Sequence, residues 1–227
     1  MARIPNMAKV RAIDQSEEQY ELRRISTYYK PDRFGIDISE EKGKVNLVNY
    51  VEKLVRSSFE YKEMIKFLRE KIDMNRCSYF KGVNNHLKGV TIEIHHAPFT
   101  LYDISYIVID YFLENDMDLN PFSIAEYVMF LHYCGMVGLF PVCKTVHELI
   151  HCGQIFVPVT HVYGDVSRFY IEYSRFMTSS QKEALLKNIK VSEKLANTPP
   201  EILQKKFIYL DVEGFHLPSP VKKRKKK

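Results

Sequence analysis

The chain has 227 residues, 45% hydrophobic and 27% charged, a balance that can build a core and excludes wholesale disorder. Its net charge of +5 is gathered in Lys222, Lys223, Arg224, Lys225, Lys226 and Lys227; taking those six from the 33 basic residues leaves 27 against 28 acidic ones. The body is therefore near neutral, and the tail alone reads as a disordered polyanion-binding arm. No apolar run reaches the roughly 20 residues of a bilayer span, and the first residues lack a signal-peptide core. The expectation is a protein of the cytoplasm of the producing cell, not secreted and without a membrane partner.

Residues 1–13 mix basic and apolar types without period and read as an extended arm. Ser16-Glu17-Glu18-Gln19 offers a helix start, and Pro31, Gly35 and Gly43 break the chain into a loop. From residue 44 to 73 apolar positions recur at three and four. Val45, Val48, Val51 and Val55 mark one helix, Met64, Leu68 and Ile72 a second, with a bend near Ser57-Ser58. Residues 76–80 read as a short strand and 82–89 as an Asn-rich turn. Residues 90–95 alternate, putting Ile92 and Ile94 on one face and Glu93 and His95 on the other. A hairpin between these two strands would carry His95 to its end.

Two further helices follow, the first through Leu101, Ile104, Val108 and Phe112, the second opened by Asn120-Pro121 and lined by Ile124, Val128 and Leu131. Residues 137–142 form an apolar strand interrupted by Pro141, and a helix beginning at Cys143 or Thr145 carries His147 and His151 until Gly153 ends it. Residues 155–159 are extended. Ser180 and Glu183 form a capping box for a helix to about Leu195, and residues 207–212 make a late strand. The fold class is thus α+β. The chain divides into an N-terminal arm and helical layer (1–75), a central core (76–160) with a helical insertion (100–136), a C-terminal helix and strand packing on it (161–217), and the basic tail (218–227).

The chemical signal lies in residues 91–153. The four cysteines contain no Cys-x-x-Cys pair, so a metal here must rely on histidine. His147 and His151 stand four apart on one helix face and can share an ion. His95, at a strand end beside that helix, completes a three-imidazole site. His96 points another way and is left as a candidate base.

His95-His96-Ala97-Pro98, followed by a strand running into His147-Glu148-Leu149-Ile150-His151, resembles the HNH endonucleases. That resemblance implies a ββα-metal core with a two-helix insertion in a largely helical body. It also implies a phage-like, DNA-hydrolysing protein: one divalent ion, zinc first, with manganese, nickel or magnesium as alternatives, on His95, His147 and His151. His96 would be the general base, and the products a 5′ phosphate and a 3′ hydroxyl. DNA is the implied partner; no protein partner is specified. Arg76, Lys81 and Lys88 flank the expected hairpin and are candidate phosphate contacts, with the basic tail adding affinity.

Two departures bear on activity. Gly138 stands where the family has an Asn that braces the loop of the base, and the two motif halves lie further apart than is typical. They leave a second reading: a metal-stapled structural or nucleic-acid-binding protein, catalytically degenerate, such as a phage component. A third follows from the His-Glu-x-x-His spelling, a zinc metalloprotease with Glu148 as base and His161 or Glu172 as third ligand. His132 reads as a packing or surface residue.

Overall fold

The architecture, taken from a computed structural model that describes residue 38 and residues 40–197, is mixed α+β and mostly helical. Among the described residues it has seven α-helices and one two-stranded antiparallel sheet. The helix expected after Ser16, the strand at 207–212 and the basic tail lie outside the described residues.

Helix α1 (Glu41–Ser57) buries Leu47, Val48, Val51, Leu54 and Val55. Their spacing of three and four makes one apolar face. It ends because Ser58 adopts an extended backbone (φ −64°, ψ 153°), and the Ser58 hydroxyl accepts the Tyr61 N–H, capping α2 (Phe59–Glu70). The bend falls where the two serines placed it.

The hairpin expected between residues 76–80 and β1 does not form. Residues 76–84 close on themselves instead, through an isolated bridge between Arg76 and Asn84 and a Cys77 N–H to Val83 carbonyl bond. These short-range bonds use the groups a ladder would need. Strand β1 (Ile92–His96) pairs with β2 (Leu139–Cys143), in a register that sets Ile92 opposite Cys143, His95 opposite Phe140 and His96 opposite Leu139. Pro141 is tolerated in β2 because its carbonyl faces the outer edge, where it accepts the Ser78 N–H and hydroxyl. Its missing donor faces the same way and costs the ladder nothing.

The residues between the strands fold into α3 (Leu101–Glu114), opened by a reciprocal Thr100 and Asp103 capping box, and α4 (Pro121–Tyr133), whose Asn120 cap accepts the Phe122 N–H. With α1 they form the main core, in which Val51, Ile107 and Val128 have no exposure. A smaller cluster joins Ile92, Phe140 and Val142 of the sheet to Cys77, Val146 and Val157.

Helix α5 (Lys144–His151) follows β2 directly from the Cys143 cap and stops at Gly153, whose φ of +68° suits a residue without Cβ. The extended segment expected at 155–159 makes no ladder and leads into a 3-10 turn at Val159–His161. Helix α6 (Val166–Tyr173), capped by Asp165, escaped the sequence reading. The helix expected from Ser180 is α7 (Ser179–Ala196), whose cap lies two residues earlier, in reciprocal bonds between Thr178 and Gln181. All four cysteines are free thiols. No helix among the described residues is long and apolar enough to cross a membrane.

Candidate metal centre

Strand β1, strand β2 and helix α5 form a ββα unit, and its two motif halves meet. Alternation along β1 turns Glu93 and His95 to the α5 side and His96 to the other. Helix α5 presents His147 and His151 one turn apart on its inner face. One donor atom each from His95, His147 and His151 lies within 4.8 Å of the others. The His95 ring centroid is 5.0 Å from that of His147 and 5.1 Å from that of His151.

The nitrogens face inward. His147 and His151 hold their Nε2 atoms 3.2 Å apart, close to the edge of roughly 3.3 Å expected for two nitrogens about 2.0–2.1 Å from a tetrahedral zinc. Glu93 sits 2.5 Å from Nδ1 of His147, so that nitrogen carries the proton and Nε2 keeps a lone pair turned to the cluster. A carboxylate on the outer nitrogen is the usual support for a metal-bound histidine. The residues present therefore fit a divalent ion of borderline softness.

Charge also favours it. Burial first, then the neighbouring His147 and His151, push the His95 pKa down to about 4, and burial lowers His147 against the opposing pull of Glu93. Rings that resist protonation keep their lone pairs at neutral pH. His95 is buried, His147 half-buried and His151 exposed, so the cluster is open on one side.

His96 belongs to a different environment from the one expected of a base. It is 4% exposed, its ring stacks on Tyr61 of α2, and its Nε2 lies 3.1 Å from Nε2 of His132 on α4. Nδ1 of His132 donates to the Val128 carbonyl at 2.7 Å. A carbonyl can only accept, so His132 carries its proton on Nδ1 and must accept on Nε2, and His96 is the donor. Both rings are held neutral, chiefly by burial, which pushes His132 down to about 4 and His96 well below the usual range.

Gly138 occupies the place expected for a bracing Asn, and the brace is made by backbone. Its carbonyl accepts the Ala97 N–H at 3.0 Å, immediately after His96. A Cβ at 138 would run into the Ala97 carbonyl oxygen, which excludes Asn there without rearrangement.

The remaining candidates lie apart from the cluster. Arg76 is exposed and pairs with Asp73 at 3.3 Å; Lys81 and Lys88 are exposed on the loop before β1. Glu148 points to Lys144, 4.0 Å away, Glu172 is bound by Arg168, and His161 contacts Thr160. Among the described residues neither protease candidate joins the three-histidine group. Sequence reasoning missed Glu93 and His132. Strand alternation held the signal for Glu93, which shares a face with His95, whereas nothing local pairs His132 with His96.

A family model described as Bacteriophage G278-like virion protein matches residues 1–213. No curated protein and no solved structure matches the chain. The comparison thus bears on the phage association and not on membership of the HNH endonucleases. The chain belongs to the Bacteriophage G278-like virion protein family.

Proposed function

We propose that this virion protein binds one divalent metal ion, zinc in first place, on His95, His147 and His151, and that the open side of this centre hydrolyses DNA phosphodiester bonds as the HNH endonucleases do. The observation that carries the reading is the convergence of three imidazoles within 4.8 Å on a ββα unit that leaves one side open. Structural zinc sites are closed by four protein ligands, while hydrolytic ones keep a position free. A divalent ion held there supplies Lewis acidity for a phosphoryl oxygen and for the leaving oxygen.

The chain's own groups divide the remaining work. Glu93 fixes the His147 tautomer and ring orientation. His95, anchored in the sheet opposite Phe140, holds the buried corner of the site. His96 is neutral and has its Nε2–H on His132, so any base role runs through Nδ1.

One observation favours a second reading, a metal-stapled module without catalysis. A general base must reach the water it deprotonates, and His96 is enclosed by Tyr61 and His132.

Plasmid nicking by the metal-reconstituted protein, beside His96→Ala and His147→Ala and with metal quantified in each, tests both. Nicking lost in both variants, with metal kept in His96→Ala, assigns His96 as base. Nicking kept in His96→Ala and lost in His147→Ala keeps the hydrolase and removes His96 from its chemistry. Bound metal with no nicking by the unaltered protein leaves the stapled module.

A further inference from the structure

Two of the four thiols meet in the smaller core. Cys77 and Cys143 are 6% and 9% exposed and belong to the cluster that also holds Ile92, Val142 and Val146. Each is placed by backbone bonds. The Cys77 N–H donates to the Val83 carbonyl at 2.8 Å, and the Ser78 N–H and hydroxyl both donate to the Pro141 carbonyl at 3.0 Å. Cys143 is held in β2 opposite Ile92, and the next N–H, that of Lys144, donates to the Thr91 carbonyl at 3.2 Å. The Ser78 bonds thus draw the turn at 76–84 alongside the end of β2, and the Cys77 thiol lies beside that of Cys143.

Cys143 is also the N-cap of α5. Burial raises its pKa, the Val146 and Thr145 N–H groups oppose that, and the neighbouring Cys77 thiol adds to the rise. Such a thiol stays protonated at neutral pH and reacts slowly, but its thiolate, once formed, is met by the N–H groups at the start of the helix. Among the described residues no third metal-ligating side chain joins the two cysteines. What two adjacent thiols can do without a metal is lose two electrons together and join.

We propose that Cys77 and Cys143 are an oxidisable dithiol that closes to a disulfide and ties the 76–84 turn to the start of α5. The oxidant is hydrogen peroxide, small enough to enter where Cys143 keeps its 9% exposure. The Cys143 thiolate attacks one peroxide oxygen, the O–O bond breaks, and the departing hydroxide takes up the thiol's proton as water. The Cys77 sulfur then attacks the Cys143 sulfenic acid, the S–O bond breaks, and the second hydroxide leaves as water with the Cys77 proton. The new bond closes a loop of about 66 residues through β1, α3, α4 and β2, a span long enough to restrict the unfolded chain strongly. A virion protein is made among reduced thiols and then meets surroundings in which disulfides persist. The cross-link would therefore strengthen the protein in the particle without constraining the chain during synthesis. Neither cysteine is a proposed metal ligand, so the inference stands apart from the metal centre.

The test treats the folded full chain carrying Cys134→Ser and Cys152→Ser, in which only the pair can react, with hydrogen peroxide. The expected product is lighter by two hydrogens in its intact mass, and a nonreducing digest joins the peptides of Cys77 and Cys143. Its Tm rises by about 10 °C and falls back on reduction with dithiothreitol. The unaltered chain gives the same joined peptide. Adding Cys77→Ala removes the resolving thiol, so peroxide carries Cys143 on to a sulfinic acid, heavier by two oxygens and with no gain in Tm. The dithiol is overturned if the pair-only protein gains oxygen without a joined peptide, stays unreacted until unfolded in urea, or melts lower as the disulfide than in its reduced form.

Discussion

His96 donates its Nε2 proton to Nε2 of His132, and the Val128 carbonyl on the far side of His132 enforces that direction. Two buried imidazoles are thereby satisfied with no net charge. Protonating His132 would set two N–H donors against each other, and protonating His96 would place a cation in the core. The unfolded chain takes up a proton on each histidine near its ordinary pKa of about 6.5, while the folded His132 waits until about 4. Stability is therefore fully present above about pH 6.5 and falls as the pH drops toward 4, where the unfolded state binds more protons. His132 alone accounts for about 2 kcal/mol between pH 7.5 and pH 5. Urea unfolding at the two pH values checks this, and equal or greater stability at pH 5 contradicts a neutral pair.

The proposed metal binding has a stoichiometric consequence. Dialysis against zinc followed by elemental analysis is expected to give one ion per chain, and none in His95→Ala or His147→Ala. A ligand that binds only the folded state at a hundred times its Kd adds about 2.7 kcal/mol, so chelation should lower the Tm by several degrees. A chelator-insensitive Tm with no bound zinc removes the centre.

In the proposed centre Glu93 acts through His147 rather than on the ion. Glu93→Gln keeps a side chain of the same shape but weakens the hold on the Nδ1 proton, and supporting carboxylates of this kind are worth about 10–100-fold in metal affinity. Competition with a chromophoric chelator measures it. An unchanged Kd would mean that the 2.5 Å contact between Glu93 and His147 contributes nothing to the site.

Gly138 is a packing requirement. With the Ala97 carbonyl where a Cβ would be, Gly138→Ala must shift the strand end or break the Ala97 to Gly138 hydrogen bond. The cost is expected to be about 2–4 kcal/mol, as for other overpacked or strained sites. Gly138→Asn, which restores the residue type of the HNH pattern, is expected to destabilise rather than activate. A nicking gain in that variant, with stability unchanged, would contradict this.

The helical body was readable because its signals are local. The α1 face from Leu47 to Val55, the Asn120-Pro121 opening of α4 and the stop at Gly153 each lie within one element. The histidine cluster was legible for a related reason. His147 and His151 share a helix face by spacing alone, and a strand with His95 at its end had somewhere close to go. What failed was pairing over distance. Residues 76–80 have strand-like composition, but their turn consumes the backbone groups at short range, and the true partner of β1 begins more than forty residues later. The His132 contact was invisible for the same reason, since α4 gives no hint that its buried face meets the back of β1.

The proposed ligands come from the two ends of the excursion between the paired strands. His95 precedes α3 and α4, and His147 follows them. An ion joining them clips together a loop of about fifty residues, a long closure whose entropy must be met before the contact can form. Pairing of β2 with β1 is thus a long-range contact with a higher closure cost than the local contacts within α3 and α4. In the proposed centre, capture of an ion by all three histidines therefore reports that the two strands have met.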